Sequence, residues 1–372
     1  MFSMERKINL TNRVYLSPCK NYRPEIAEEA LLPMLESIIE DNGLDNSWEG
    51  KKVVIKPNLL AKRAPSAAVT AQPVFVELAA GYFVKRGAVV TIADSPGGLY
   101  HPKLLERLYE TTGMTEAAKK SGATLNLDVS SSKSGTFTRI TPLVEADFIV
   151  SIGRMKTHML CDMTAAVKNM FGSIPGAKKA EYHAKFPDKK DFCNMLVDLC
   201  LENAPMINII DAVVAMEGNG PASGTTKRVG ALLGSANPFA LDLLCASMMG
   251  YAPEEVLTVD ISRERGLCVQ TAAELTVVGA DPSKYTHKFK RPKASRDAGL
   301  LKLLPRTIAS RLKKERKPVI MEKKCIGCGE CVRSCPVETM ELVNKKAVIH
   351  RENCIKCYCC QELCPQKAVI VK

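Results

Sequence analysis

Apolar residues along the chain fall into two alternating patterns: short continuous runs, and longer segments with apolar positions three and four apart. The runs RVYLS near the N-terminus, 53–55 within KVVIKPNLL, AVVTIAD (88–94), DFIVSIG (147–153), MINIIDAVVAM (206–216), VGALLGS and ELTVVGA (274–280) predict strands, with a further strand near 124–128. Between them, PEIAEEALLPMLESIIEDNG, 73–86, 102–121, 161–172, 190–203 and NPFALDLLCASMMG (237–250) predict helices. Pro73 suits a first helical turn, and Gly43 and Gly87 suit helix ends. The Gly- and Lys-rich stretch SIPGAKKAEYH predicts a loop. Strands alternating with helices indicate an α/β domain with a mostly parallel sheet flanked by helices.

The polar residues fall where such a sheet binds ligands, at the carboxyl ends of its strands. Lys56-Pro57-Asn58 follows the first buried run, Asp94-Ser95-Pro96-Gly97-Gly98 the second and Lys156-Thr157-His158 the third. Asp211 and Glu217-Gly-Asn-Gly-Pro follow the fourth. Lys56, Lys156, Lys168 and Lys178 are candidates for a cationic site taking a phosphate or carboxylate, with Asn58 and Asn169 as amide partners. His158 and His183 lie among these lysines and are candidate acid–base groups or metal ligands; Asp94, Asp211 and Glu217 can complete a metal site with them or orient the lysines. No H-E-x-x-H spacing is present, so little in the sequence favours a metal there, and without a G-x-G-x-x-G or Walker pattern a nucleotide is not expected. No motif demands a flavin or further metal.

The last fifth of the chain has a different character. CIGCGECVRSCP and CIKCYCCQELCP each read C-x2-C-x2-C-x3-C-P, the ligand run of a bacterial ferredoxin with two 4Fe–4S clusters. Three thiolates of one loop grip three corners of a cube, and the Cys before Pro reaches the other cube. This assigns Cys325, Cys328, Cys331 and Cys364 to one cluster, and Cys335, Cys354, Cys357 and Cys360 to the second. Cys359 is left as a bystander. Zinc ribbons or disulfides fit four Cys within eleven residues and a trailing Pro less well. Apolar runs at 347–350 and 368–371 predict small strands over the clusters.

Charge divides the chain further. Residues 284–324 carry fifteen Lys and Arg against three Asp and Glu, which accounts for the whole net charge of +12. The expected organisation is an α/β large domain over 1–283, a basic linker over 284–319 and a small α+β ferredoxin-like domain over 320–372. Beyond Tyr285 and Phe289 at its start the linker has no interleaved aromatics, so nucleic acid is not expected as a partner. Its residues 300–314 can form an interrupted amphipathic helix against an acidic redox partner or a membrane surface. No apolar run is long enough to span a bilayer, and MFSMERKINL lacks a secretory h-region, so a cytoplasmic protein is expected. Six further cysteines, scattered and in mostly apolar surroundings, read as buried free thiols.

IKPNLL, ADSPGG, GRMKTH followed by AVKNMFGSIPG and His183, DAVVAMEGNGP and SANPFALD together resemble the domain of unknown function 362 family over roughly 50–280. The resemblance implies iron–sulfur proteins of anaerobic or photosynthetic microbes, often fused to a two-cluster ferredoxin. It also implies that Lys56, Asn58, Asp94, Lys156, His158, Lys168, Asn169 and Glu217 form one site. The expected function is an iron–sulfur oxidoreductase taking single electrons from a low-potential carrier and delivering them to an anionic or carbonyl substrate. A non-enzymatic electron-transfer or cluster-carrier protein is the alternative, and non-redox chemistry beside structural clusters a third.

Overall fold

The computed structural model describes residues 6–44, 47–295 and 316–372. A nine-stranded sheet runs through the larger part. It comprises β1 (Arg13–Pro18), β2 (Lys52–Pro57), β3 (Val89–Ile92), β4 (Thr124–Leu125), β7 (Phe148–His158), β8 (Asp162–Thr164), β9 (Ile207–Glu217), β10 (Thr225–Ser235) and β11 (Thr276–Gly279). The order is β11-β1-β10-β9-β7-β2-β3-β4, with β8 paired to β7. Strands β9, β7, β2, β3 and β4 are parallel neighbours, whereas β10 runs antiparallel to both β9 and β1. A separate hairpin, β5 (Ser131–Ser134) with β6 (Phe137–Ile140), precedes the short helix α5 (Thr141–Glu145).

The pleat sends alternate side chains to opposite faces. Tyr15, Val53, Ile55, Val150, Ile152 and Leu232 bury against α1 (Pro24–Asp41), α2 (Pro73–Val84) and α3 (Pro102–Thr112). Val14, Leu16, Ala231 and Leu233 face the other way, toward α8 (Lys189–Asn203), α9 (Pro238–Met248) and α10 (Leu257–Glu264). This is the expected α/β layering, with burial of both faces supplying the main driving force.

Four local expectations give way. The helix expected over 102–121 breaks at Gly113, whose φ of 77° ends α3 and starts α4 (Met114–Ser121). Strand β7 does not stop at 153 but continues to His158, so Lys156, Thr157 and His158 are buried strand residues rather than loop residues. The helix expected over 161–172 is instead a hairpin return: Asp162 has φ 62°, β8 pairs back on β7, and only α6 (Ala166–Asn169) is helical before a 3-10 turn. The loop expected in SIPGAKKAEYH is largely helix α7 (Gly176–Lys185); its Ala, Lys and Glu residues favour helix once Gly176 is passed.

The C-terminal part holds β12 (Pro318–Ile320) paired with β15 (Val369–Val371), and the hairpin β13 (Met340–Val343) with β14 (Lys346–Ile349). Two short helices, α11 (Glu330–Arg333) and α12 (Cys359–Leu363), follow the cysteine loops. This module packs on the strand ends of the large sheet. The Arg63 guanidinium donates to the carbonyls of Cys364 (2.8 Å) and Pro365 (3.0 Å), and Gln361 donates to the Asn219 carbonyl at 3.1 Å. Tyr358, Met159 and Val371 bury together across the contact. The start of the basic segment packs on the large domain through buried Phe289. The amphipathic stretch 300–314 lies outside the described residues.

Candidate functional site

The ends of β2, β3 and β7 meet helices α6 and α7 around one cavity of about 180 Å³. Its floor is a buried ion pair. Lys56 Nζ lies 2.5 Å from Asp94 Oδ1 and donates to Asn169 Oδ1 at 3.2 Å, while the Leu59 amide donates to Asp94 Oδ2 at 2.7 Å. Asn169 is held in turn by donating to Ser151 Oγ at 3.0 Å. Burial pushes the Lys56 pKa down, against the pull of Asp94. A pair this enclosed is costly to break from one side, about 3–5 kcal/mol. Gly172 is required above it, because a Cβ there would overlap Asp94 Oδ1 and Lys56 Nζ.

Lys156 and His158 stand two apart on β7 and so share a face. Lys156 donates to Asn58 Oδ1 and to the Val69 carbonyl, both at 2.7 Å. Burial, then Arg154 and Lys168, drive its pKa well below the usual lysine value. His158 Nδ1 accepts the backbone amides of Leu160 and Cys161, each at 3.1 Å. The neutral ring therefore carries its proton on Nε2, 2.9 Å from Glu362 Oε1. That approach is off-axis, leaving the buried Nε2 without an aligned hydrogen-bond partner among the described residues. Burial and Lys168 oppose protonation of His158, but Glu362 and Cys161 prevail and its pKa lies above the ordinary value. Glu362 itself is held down to about 2: burial opposes its charge, and His158, Lys168 and His183 outweigh burial.

Helix α7 supplies the facing wall. His183 stacks on Phe192 with ring centroids 4.4 Å apart, and burial lowers its pKa to about 3, which keeps it neutral. Lys179, one helical turn earlier, donates to the carbonyls of Ser95 (2.8 Å) and Ile174. Burial takes its pKa to about 7; Asp94 raises it, and Lys56 and Lys168 lower it. Lys168 lies 5.4 Å from the Phe171 ring and has no hydrogen bond or ion pair among the described residues, so its ammonium is open to a ligand. Leu60, Leu99, Phe171, Pro221 and Leu363 make the remaining wall apolar. Among the described residues the cavity thus offers one open cation, one under-bonded imidazole N–H and an apolar bed.

Of the residues singled out from sequence, Lys56, Asn58, Asp94, Lys156, His158, Lys168, Asn169 and His183 line this cavity, while Lys178 and Glu217 do not. Glu217 accepts the Lys290 amide at 3.0 Å and pairs with Lys227 and Lys290, which ties down the start of the basic segment. Asp211 is paired with Arg154 at 2.7 Å inside the sheet, both fully buried. Sequence reading passed over Lys179, whose i, i+4 relation to His183 is visible only if 176–185 is read as helix. It also passed over the ferredoxin side of the wall, Glu330, Arg333, Ser334, Cys359, Glu362 and Leu363. No sequence signal pairs these with residues two hundred positions away.

The cysteine-rich loops bring one set of four thiols together. Cys325, Cys328, Cys331 and Cys364 line one small cavity together. Burial and then Cys364, Cys328 and Cys325 raise the Cys331 thiol to about 11. Cys360 is driven well up by burial and by Cys357, Cys354, Cys331 and Cys335. Thiols that suppress one another's ionisation are those that a cationic iron core binds as thiolates. Backbone amides already point at sulfur, from Ala347 to Cys325 (3.4 Å), Thr339 to Cys335 (3.3 Å) and Ala368 to Cys364 (3.2 Å), as in cluster sites.

Comparison with known proteins agrees with both halves. Residues 53–247 match the domain of unknown function (DUF362), and residues 317–365 match the 4Fe-4S dicluster domain. A thylakoid-associated protein of Synechocystis sp. is 30% identical over 256 residues, covering 66% of this chain and 78% of its own. Ferredoxin-2 of Desulfomicrobium norvegicum is 62% identical over 29 residues, 8% of this chain and 49% of its own. Among solved structures, the lactate racemase apoprotein of Thermoanaerobacterium thermosaccharolyticum aligns with a TM-score of 0.43 at 14% identity, over 64% of this chain and 57% of that one. Among the described residues no helix is long and apolar enough to cross a membrane. With its 4Fe–4S ferredoxin-like module at the C-terminus, the chain belongs to the domain of unknown function 362 family.

Proposed function

We propose that the protein is an iron–sulfur oxidoreductase that reduces a small anionic or carbonyl-bearing substrate in the cavity between its two parts. The observation that carries this reading is the shared wall: lysines and histidines of the large domain face Cys359, Glu362 and Leu363 of the ferredoxin module across one cavity. Cys359 sits between two cluster-ligand positions, Cys357 and Cys360, so a bound substrate lies beside the electron source. Cys325, Cys328, Cys331 and Cys364 would hold one 4Fe–4S cluster and Cys335, Cys354, Cys357 and Cys360 a second, and these would supply single electrons there once reduced by a low-potential carrier.

The chain's own residues then do the rest. The Lys168 ammonium holds the anionic group. His158 polarises the substrate oxygen through a hydrogen bond donated by Nε2–H, and the Glu362 carboxylate 2.9 Å away orients the ring. Lys56, Asp94 and Asn169 fix the floor, and Lys156 with Asn58 positions the β2 end. Reducing a carbonyl to an alcohol takes two electrons and two protons; one proton comes from the Lys168 ammonium, which recovers it from solvent, and the other comes from solvent directly. The free thiols and cluster ligands suit a reducing compartment such as the cytoplasm.

The test uses dithionite-reduced holoprotein, freed of excess reductant and mixed with a panel of 2-oxo acids and aryl carboxylates. At least one compound is expected to accelerate cluster reoxidation. Lys168→Ala and His158→Ala should each lose that acceleration while their cluster EPR spectra stay unchanged. Full acceleration in both variants would overturn the assignment. The alternative, an electron or cluster carrier with the large domain as a dock, makes no use of the cavity and predicts that no compound is turned over.

A further inference from the structure

The ferredoxin module presents two different faces. One, carrying α11 and α12, closes the cavity against the large domain. The other carries the loop of Cys325 to Cys331 and the β13–β14 hairpin. On this outer face lies Cys328, the one exposed cysteine among the described residues. Beside it Ile326 is 62% exposed and Leu342 44%, and both line the small cavity shared by Cys325, Cys328, Cys331 and Cys364. The loop and the hairpin are one surface: a Cβ at Gly327 would overlap the Lys345 carbonyl, and Lys346 donates to the Cys325 carbonyl at 2.6 Å.

Charge surrounds this apolar centre unevenly. Lys323 and Lys324 directly precede Cys325, Lys345 abuts Gly327, and Lys367 follows Gln366 at the cavity edge. All four are exposed, and none forms an ion pair among the described residues. Of the nearby carboxylates, Glu330 is taken by Arg333 at 2.7 Å and Glu341 by His350 at 2.7 Å, leaving Glu322. A cluster ligand at the surface, an apolar pad and a rim of free ammonium groups make a site at which an acidic protein can bring its own redox centre close.

We propose that this face is where an acidic one-electron carrier protein docks, with Ile326 as the apolar contact over the Cys328 cluster and Lys323, Lys324 and Lys345 steering the approach. Opposite charges at the rim set the association rate and its salt dependence, while the apolar centre sets residence. The cluster fits here because four thiols line one cavity whose edge reaches solvent at Cys328. The assignment stands apart from the substrate reading, since Lys323, Lys324, Ile326 and Lys345 line no part of the substrate cavity.

The experiment measures binding of an acidic flavodoxin to the full-length holoprotein by titration calorimetry at two salt concentrations, and by sedimentation. Wild type should bind, more weakly at higher salt. The combined Lys323→Glu, Lys324→Glu and Lys345→Glu variant should lose at least about tenfold in affinity. Ile326→Ser should lose affinity with little change in salt dependence. Reduction of both variants by dithionite should match wild type, showing intact clusters. Failure of wild type to bind, unchanged affinity in both variants, or binding that strengthens with salt would each overturn the proposal. So would a self-associated wild type made monomeric by Ile326→Ser, because the face would then pair two copies of this chain.

Discussion

At the level of single residues, the cavity is set by how many hydrogen bonds each cation already makes. Lys56 and Lys156 are satisfied by fixed partners and act as scaffold, whereas Lys168 has an ammonium left over. Lys179 lies between these cases. It directs two N–H groups at carbonyls, and only its protonated form has a third to offer. With its pKa near 7, it is mostly charged at pH 6 and mostly neutral at pH 8. A probe anion such as benzoate should therefore bind several-fold more weakly at pH 8 than at pH 6. His158, raised from its ordinary value, loses charge in the same direction, so the control is Lys179→Met. That variant should bind weakly at pH 6 and show a flatter profile, measured by calorimetry. A wild-type profile identical to that of Lys179→Met would exclude a role for the Lys179 charge.

Among the elements, the placing of Lys168 and Asn169 depends on a carboxylate far along the chain. Asp242 on α9 accepts the amides of Ala166 (2.6 Å) and Val167 (3.2 Å), the first residues of α6. Burial raises its pKa to about 7 against those two bonds. A carboxyl whose pKa is raised on folding takes up a proton between the unfolded value near 4 and about 7, so its contribution to stability falls as pH rises through that window. Asp242→Asn removes this pH dependence and leaves one amide donor unmatched, a cost of about 1–3 kcal/mol. The variant should be less stable than wild type at pH 5, and the gap should narrow toward pH 7 in urea denaturation. A gap that widens toward pH 7 would refute the raised Asp242 pKa.

How much was legible from sequence is clearest in these elements. The strands β1, β2, β3 and β9 and the helices α1, α2, α8 and α9 were readable because each buries a regular apolar pattern. The stretch from 154 to 185 was not, because its pattern is set by the site. β7 continues as Arg154, Lys156 and His158, polar residues that no strand pattern predicts in a core, and each is held by a tertiary partner. Asp162 turns the chain at positive φ, where a helical continuation would be read from CDMTAAVKNM. Helix α7 was obscured by its Gly and Lys content, and with it went Lys179.

For the molecule as a whole, the proposed division of the cysteines between two clusters depends on the module folding back on itself. Cys364 joins the loop of Cys325 to Cys331 through the β12–β15 pairing, which returns the chain end to residues 318–320. Two 4Fe–4S clusters predict about eight irons per chain in an anaerobic preparation. Cys328→Ser and Cys364→Ser should each perturb the same cluster's EPR signal, and the double variant should lose no more iron than the worse single one. Cys359→Ala should keep the full iron content. Iron loss in the double variant equal to the sum of the singles, or loss in Cys359→Ala, would refute the partition.

The α/β layering, the ferredoxin-like module with its ligand spacing, and a set of polar residues at strand ends are all carried by the sequence alone, because periodicity, loop spacing and strand polarity are local properties of a chain. Three-dimensional folding was needed to leave Glu217 and Lys178 outside the cavity and to bring Lys179 into it. Folding also sets Glu362, from the ferredoxin module, opposite His158 across more than two hundred residues. A side chain's direction follows from its element's phase, and the meeting of two modules follows from which surfaces bury each other. Neither is written in the spacing of residues along one stretch of sequence.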